Sequence, residues 1–280
     1  FSNWEGNAIH MRGDIEQVSG VNNNLVEGNF ITAPDISISQ PFSVEGVLDR
    51  ASKNHFFRNT ADNLRGGCRV NGNDNVIEHN VLRNIRQSDA VTFFTGYGFF
   101  MSIGASSFVS RSNVFDHNLV HNTDEAGIVV IGNTTTNLPT GLLIRNNILF
   151  DNGAAPRLPS PVGASLFVDE NRIREMAYQN NLFYAITPAS PNVIAFPAAF
   201  VSAAQFNTRN GQNGHTVSDN LSGDPLFADL AGGNYSLQDF SPAIDAGLNL
   251  GYTLDLVRNE RFQGVAPDIG PQESGLTLPT

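Results

Sequence analysis

The stretch Ile77-Glu78-His79-Asn80-Val81-Leu82 returns as Phe115-Asp116-His117-Asn118-Leu119-Val120 and again as Ile144-Arg145-Asn146-Asn147-Ile148-Leu149. In each copy an asparagine is framed by an apolar residue three positions before it and two apolar residues directly after it. Four further copies follow the frame: Val26-Glu27-Gly28-Asn29-Phe30-Ile31, Phe56-Phe57-Arg58-Asn59-Thr60-Ala61, Tyr178-Gln179-Asn180-Asn181-Leu182-Phe183 and Val217-Ser218-Asp219-Asn220-Leu221-Ser222. The second and last of these are looser. Successive marked asparagines are separated by 30, 21, 38, 29, 34 and 39 residues. Self-similarity at this period indicates a solenoid. A coil of three short strands and three turns takes roughly twenty-odd residues. The 21-residue step is therefore a bare rung, and the longer steps carry loops that must leave the stack.

The predicted fold is all-β, a right-handed parallel β-helix. Each coil turns its apolar residues inward on both sides of the asparagine and pairs with the next coil ~4.8 Å away. A buried asparagine amide both donates and accepts, so stacked copies satisfy one another. Parallel crossovers are right-handed. Asn63, Asn84 and Asn122, four residues after three of the marked positions, predict a second, exposed turn ladder. A β-sandwich is the competing architecture, but it predicts turn signals every 8–12 residues and no fixed apolar frame around an asparagine. Residues 1–222 read as coils with inserts at about 85–112, 153–170 and 186–215, and 223–280 as a capping segment of the same domain.

Composition agrees with this reading and narrows function. The 26 glycines and 14 prolines suit frequent turns. A net charge of −11, with Lys53 the only lysine, leaves no basic stripe for nucleic acid. Any polyanion would have to meet clustered arginines or a bridging cation, Ca²⁺ being the natural candidate cofactor. Cys68 is alone, which excludes an intrachain disulfide and a zinc-finger site. No run of about twenty apolar residues exists, so no membrane span is expected. Patterned sequence begins at once near Asn7-Ala8-Ile9-His10, with no signal-peptide pattern. That start suggests a matured or truncated product and an uncapped first coil, an edge through which the chain could self-associate.

The tail reads Gly223-Asp224-Pro225-Leu226-Phe227, then Tyr235-Ser236-Leu237-Gln238, Ser241-Pro242-Ala243-Ile244-Asp245-Ala246-Gly247 and Pro267-Asp268-Ile269-Gly270. This resembles the C-terminal segment of secreted right-handed β-helix proteins of the pectate lyase and alginate lyase-like superfamily, which also holds chondroitinase B and mannuronan epimerases. The resemblance implies an extracellular or cell-surface protein acting on a polysaccharide. It also implies that the tail covers the last coil, with Asp245 and Asp268 fixing turns. The alginate lyase and chondroitinase B group places a lysine nine residues before a rung Asn-Thr, and an arginine-histidine pair one rung later. Here those positions hold Arg50, Val70 and Asn71, so that particular chemistry is not carried over.

Stacking the repeats rung on rung collects the titratable residues. The position before the asparagine carries Arg58, His79, His117 and Asn146, and the one before that Phe57, Glu78, Asp116 and Arg145. Glu78, His79, Asp116 and His117 are thus the candidate catalytic residues. A histidine can take a sugar C5 proton, while two carboxylates ~5 Å apart suit retaining hydrolysis, and the four together could hold a divalent metal. Arg58 and Arg145 are candidate carboxylate partners, and Tyr97, in the aromatic insert with Phe93, Phe94, Phe99 and Phe100, is a candidate sugar-stacking ring. Read without function, the same ladder solvates one face of the solenoid, and the aromatic insert packs as a satellite core. Sequons at Asn133, Asn220 and Asn234 are acceptor patterns. The expected function is an extracellular lyase, hydrolase or epimerase, the alternative a non-catalytic scaffold, adhesin or filament subunit.

Overall fold

The computed structural model describes residues 6–13, 21–32, 38–46, 51–87, 96–102, 110–132, 139–153, 163–169, 173–185, 193–196 and 198–275. Arg50, Phe93, Phe94, Asn133 and the prolines at 156, 159, 161, 188, 191 and 197 lie outside them. The strands form three long sheets wound as a parallel β-helix. Sheet one stacks Leu25–Glu27, His55–Phe57, Val76–Glu78, Val114–Asp116, Leu143–Arg145, Ala177–Gln179 and Thr216–Ser218. Sheet two stacks Phe30–Thr32, Thr60–Leu64, Val81–Ile85, Leu119–Thr123, Ile148–Phe150, Leu182–Tyr184 and Leu221–Ser222. Sheet three begins with Gly6–Gly13 and Ile38–Gly46, continues through Cys68–Val70, Tyr97–Ser102, Ala126–Ile131, Ala164–Asp169 and Val193–Phe196, and closes with the antiparallel Ala198–Phe200.

Side-chain alternation explains the apolar frame. In a three-residue strand only the middle residue points inward. Val26, Phe56, Ile77, Phe115, Ile144, Tyr178 and Val217 do so in sheet one and enter the core with Ile31, Leu82, Val120, Leu149 and Phe183 of sheet two. Between those two sheets each coil turns on two residues. The first has left-handed backbone: Gly28, Arg58, His79, His117, Asn146, Asn180 and Asp219 all have φ between 51° and 67°. For a non-glycine residue that conformation costs about 1–2 kcal/mol.

The second residue of the corner offsets that strain. Asn80 Oδ1 accepts from the backbone N–H and the side-chain amide of Asn59 at 2.9 and 3.0 Å. Its own N–H and amide pass the pattern on to Asn118 Oδ1, both at 3.0 Å, and the amide also reaches the Phe56 carbonyl. The chain of amides runs from Asn29 to Asn220. Asn24, Asn54, Asn75 and Asn113 build a parallel ladder just before sheet one, five residues ahead of the first. The expected third column exists in part: Asn122 donates to Asn84 Oδ1 and Asn84 to Asp62 Oδ1, each 2.7 Å. It sits on a half-buried, left-handed kink inside the sheet-two strands, not on a turn.

The inserts are shorter than their composition suggested, since residues 97–102, 164–169 and 193–196 are rungs of sheet three. They lack the asparagine marker, so an apolar strand reads as part of a loop. Gly98 lets two such rungs close. A Cβ there would lie 2.3 Å from Val120 Cγ1 and 2.5 Å from the Gly127 carbonyl oxygen. Gly98→Ala is therefore expected to lower stability by about 1–3 kcal/mol, seen as a fall in the urea midpoint, whereas Gly28→Ala meets no atom within 4 Å and acts through φ alone.

The end of the solenoid formed by the last coil departs from expectation. The last coil is closed by residues 198–212, not by the tail. Phe206, on the short helix Ala203–Asn207, packs on Tyr178 and Phe183. Asn207 stands in for the missing rung, accepting from the Asn220 amide at 2.8 Å and donating to the Asn220 carbonyl at 3.0 Å. The tail instead folds back along the flank. Tyr235, Leu237, Ala243, Ile244 and Ile269 cover the outward-facing Val81, Leu119, Ile148 and Leu182 of sheet two as a second core. An apolar outer column is what makes that possible.

Candidate functional site

Beyond Ala243 the tail crosses one rung after another, in the direction opposite to the stacking. The Asn180 amide donates to Ala246 O, Asn146 exchanges two bonds with Leu248, and Arg58 Nε donates to Asp255 O. Arg258 then reaches Glu27 at 2.9 Å. The segment 246–258 therefore lies over the left-handed corner residues of almost the whole solenoid.

This path decides where the candidate residues face. Arg58, His79, His117 and Asn146 do stack on successive rungs, and the His79 and His117 rings are parallel at 5.0 Å. Yet His79 is 0% and His117 1% exposed, both beneath the edge of Tyr252. Burial first, then the Arg261 guanidinium, holds both imidazoles well below the usual histidine range. They are neutral at pH 7. Among the described residues neither nitrogen of His79 has a hydrogen-bond partner.

One column over, Asp116 is fully buried and doubly bonded by Arg145, Nε to Oδ1 at 3.0 Å and Nη2 to Oδ2 at 2.7 Å, with the Tyr252 hydroxyl donating at 3.0 Å. Burial raises the Asp116 carboxyl above the ordinary carboxylate range, although Arg145 opposes the shift. Burial, and then the Asp116 and Glu78 carboxylates, push the Tyr252 phenol upward. Glu78 is buried too, with Oε1 2.7 Å from His55 Nε2. Glu78 and Asp116 pair across one rung as the repeat predicts. Asp116 is held through both oxygens and Glu78 through Oε1, while Glu78 Oε2 is buried without a hydrogen-bond partner among the described residues.

His55 was not among the candidates. It lies on the outer face of sheet one, its side chain 38% exposed, and its ring stacks on Phe57 at 5.3 Å. Arg58 lies 3.8 Å over the other partner of that stack, the Phe57 ring. His55 is in register with Val76, so Glu78 reaches it diagonally. Diagonal pairs become visible only once outward columns are drawn two residues apart on one strand. With Nε2–H directed at the carboxylate, Nδ1 is the bare nitrogen. Tyr97 lies elsewhere, on sheet three, where it and Phe100 pack with Ala126, Val129 and Phe167 as the satellite core. Asn220 is 3% exposed within the ladder, which leaves Asn234 as the exposed sequon among the described residues.

Among the described residues no group of three or more His, Cys, Asp or Glu side chains could hold a metal ion, so Glu78, His79, Asp116 and His117 do not gather as a metal centre. No described helix is long and apolar enough to cross a membrane. A search of curated proteins finds no match. Residues 1–149, more than half of the 280, match the family described as right handed beta helix region. With three parallel sheets wound around one core, the chain belongs to the right-handed β-helix family.

Proposed function

We propose that this is an extracellular carbohydrate-active β-helix protein that removes the C5 proton of a uronate residue on the outer face of sheet one. The observation that carries this reading is the His55 Nε2–Glu78 Oε1 pair at 2.7 Å, a carboxylate-oriented imidazole whose ring is open to solvent. A histidine so oriented suits proton abstraction next to a carboxylate. Arg145, three rungs beyond His55 and fixed by Asp116, retains an Nη1 free of that bidentate pair to meet the carboxylate of a uronate further along a bound chain. Family membership and the tail's resemblance to secreted polysaccharide-active proteins support the substrate class and the location.

The reaction balances simply. His55 Nδ1 takes the C5 proton, the C4–O bond breaks as C4=C5 forms, and the imidazolium returns the proton to the departing oxygen. Return of the proton to the other face of C5 would be epimerisation. The test is incubation with polygalacturonate, alginate and chondroitin sulfate, with and without Ca²⁺, following unsaturated-product absorbance and reducing ends. His55→Gln is expected to lower turnover by about 10²–10⁴-fold with binding retained. Turnover equal to wild type would remove His55. Reducing ends without unsaturation would return the chemistry to Glu78 and Asp116 as a hydrolase. A non-catalytic glycan scaffold is the second reading, favoured by the burial of all four original candidates; saturable glycan binding without any product would select it.

A further inference from the structure

We propose that residues 246–261 form an acid-released latch, with the His79–His117 stack as its trigger and Asn146 as the link to the tail. The His117 ring lies between two donors, the Asn146 amide at 2.9 Å from Nε2 and the Arg261 guanidinium at Nδ1, with the Gly270 carbonyl 3.2 Å from Nδ1 as its one acceptor. A proton on Nε2 would set two donors against each other. The same Asn146 amide donates to Leu248 O at 2.8 Å, and Leu248 N–H returns to Asn146 Oδ1 at 2.8 Å. Protonating His117 Nε2 therefore turns a donor against the amide that holds Leu248 and drives Asn146 from the position in which it pins the tail. His79, directly below, has no acceptor for a second N–H among the described residues.

The charged surroundings favour release. From the solenoid the pair meets Arg58, His55, Glu78, Asp116 and Arg145, and from the tail Tyr252 and Arg261, which bonds His117 Nδ1. Behind Arg261 lie Asp255, Asp268 and Glu273. The two nearest carboxylates are already committed, Glu78 to His55 and Asp116 to Arg145. Glu273, pushed up to about 8 by burial, is largely protonated at neutral pH and does not gain charge on acidification.

In the docked state both imidazoles stay neutral, whereas in an undocked tail each would titrate near 6.5. The two histidines therefore bind more protons in the undocked state and weaken docking as pH falls, each by up to tenfold per pH unit below about pH 6, whereas Glu273 and Asp116, raised by burial in the docked state, give up protons on undocking and offset part of that effect.

The experiment is hydrogen exchange by mass spectrometry on the full chain between pH 7.5 and 4.5, corrected for intrinsic exchange rates. Peptides covering 246–261 are expected to lose protection with a slope between one and two protons, the histidine uptake less what Glu273 releases, while ladder peptides around Asn118 stay protected. His79→Phe and His117→Gln are each expected to reduce the slope by about one proton, and the double variant to flatten it. A flat profile in the wild type overturns the latch. So does an unchanged slope in both single variants, which would assign the opening to carboxylates. If the double variant fails to fold, the two single variants still decide the proton count.

Discussion

Replacing Asn118 by alanine is expected to lower stability by about 3 kcal/mol or more, one of the largest effects of any single polar substitution in this chain. Asn118 is fully buried at the middle of the main ladder. Its Oδ1 accepts from Asn80 N–H and Asn80 Nδ2, and its own amide donates to Asn147 Oδ1 and to the Ile77 carbonyl. Alanine leaves the Asn80 N–H without its acceptor and the Ile77 carbonyl without this donor. Each buried polar group left unpaired costs about 1–3 kcal/mol. The left-handed His117 beside it loses the bonds that offset its strain. At roughly 2–4 °C per kcal/mol, the thermal midpoint should fall by about 6–12 °C. Asn122→Ala, at the half-buried kink column, removes two side-chain bonds, one to Asn84 and one from Arg86, between groups that water still reaches, and is expected to cost about 1 kcal/mol. Thermal unfolding followed by circular dichroism compares them, and equal losses for the two would mean that the buried ladder is not what holds the coils in register.

The same residues show how far the repeat could be read. Asn80 announces itself because apolar residues frame it, and that frame is the inward alternation of two adjoining strands. Asn75 is as buried and as completely bonded, but its flanks Asp74 and Val76 give no frame, so the second ladder went unseen. The constant five-residue offset, 24 to 29, 54 to 59, 75 to 80 and 113 to 118, was the available signal. The rung order of His79, His117, Glu78 and Asp116 was legible, since register follows from the repeat. Their exposure was not. It depends on a segment more than a hundred residues away, whose lateral course follows from the apolar outer column Val81, Leu119, Ile148 and Leu182 that it covers. Those residues directly follow the marked asparagines and read as part of the core. His55 was missed for a related reason. It belongs to the first outward column of sheet one, whose other members are mainly apolar, and its partner stands one rung on and two residues along.

Removing the cation that holds Asp116 is expected to cost about 3–5 kcal/mol at pH 7. Arg145→Ala takes away both arms of the bidentate pair and leaves a carboxylate that is 0% exposed with the Tyr252 hydroxyl as its remaining donor. An ion pair of this kind adds little over an apolar filling of the same space, but half of it, buried, is strongly unfavourable. The pH dependence identifies the cause. Asp116 already has its pKa raised by burial, and Arg145 is the main group opposing that rise. Without Arg145 the folded-state value moves further above the unfolded value of about 3.9. The folded state then holds its proton more readily than the unfolded chain, so the loss is full at neutral pH and shrinks as pH falls through the folded value. Urea midpoints at pH 7.5 and pH 5 should therefore differ less from wild type at the lower pH. Adding Asp116→Asn to Arg145→Ala removes the charge while keeping an acceptor for Tyr252, and most of the lost stability should return at pH 7.5. A double variant as unstable as the single one would show that Arg145 acts through packing of its side chain across sheet one, and not through the charge beneath Tyr252.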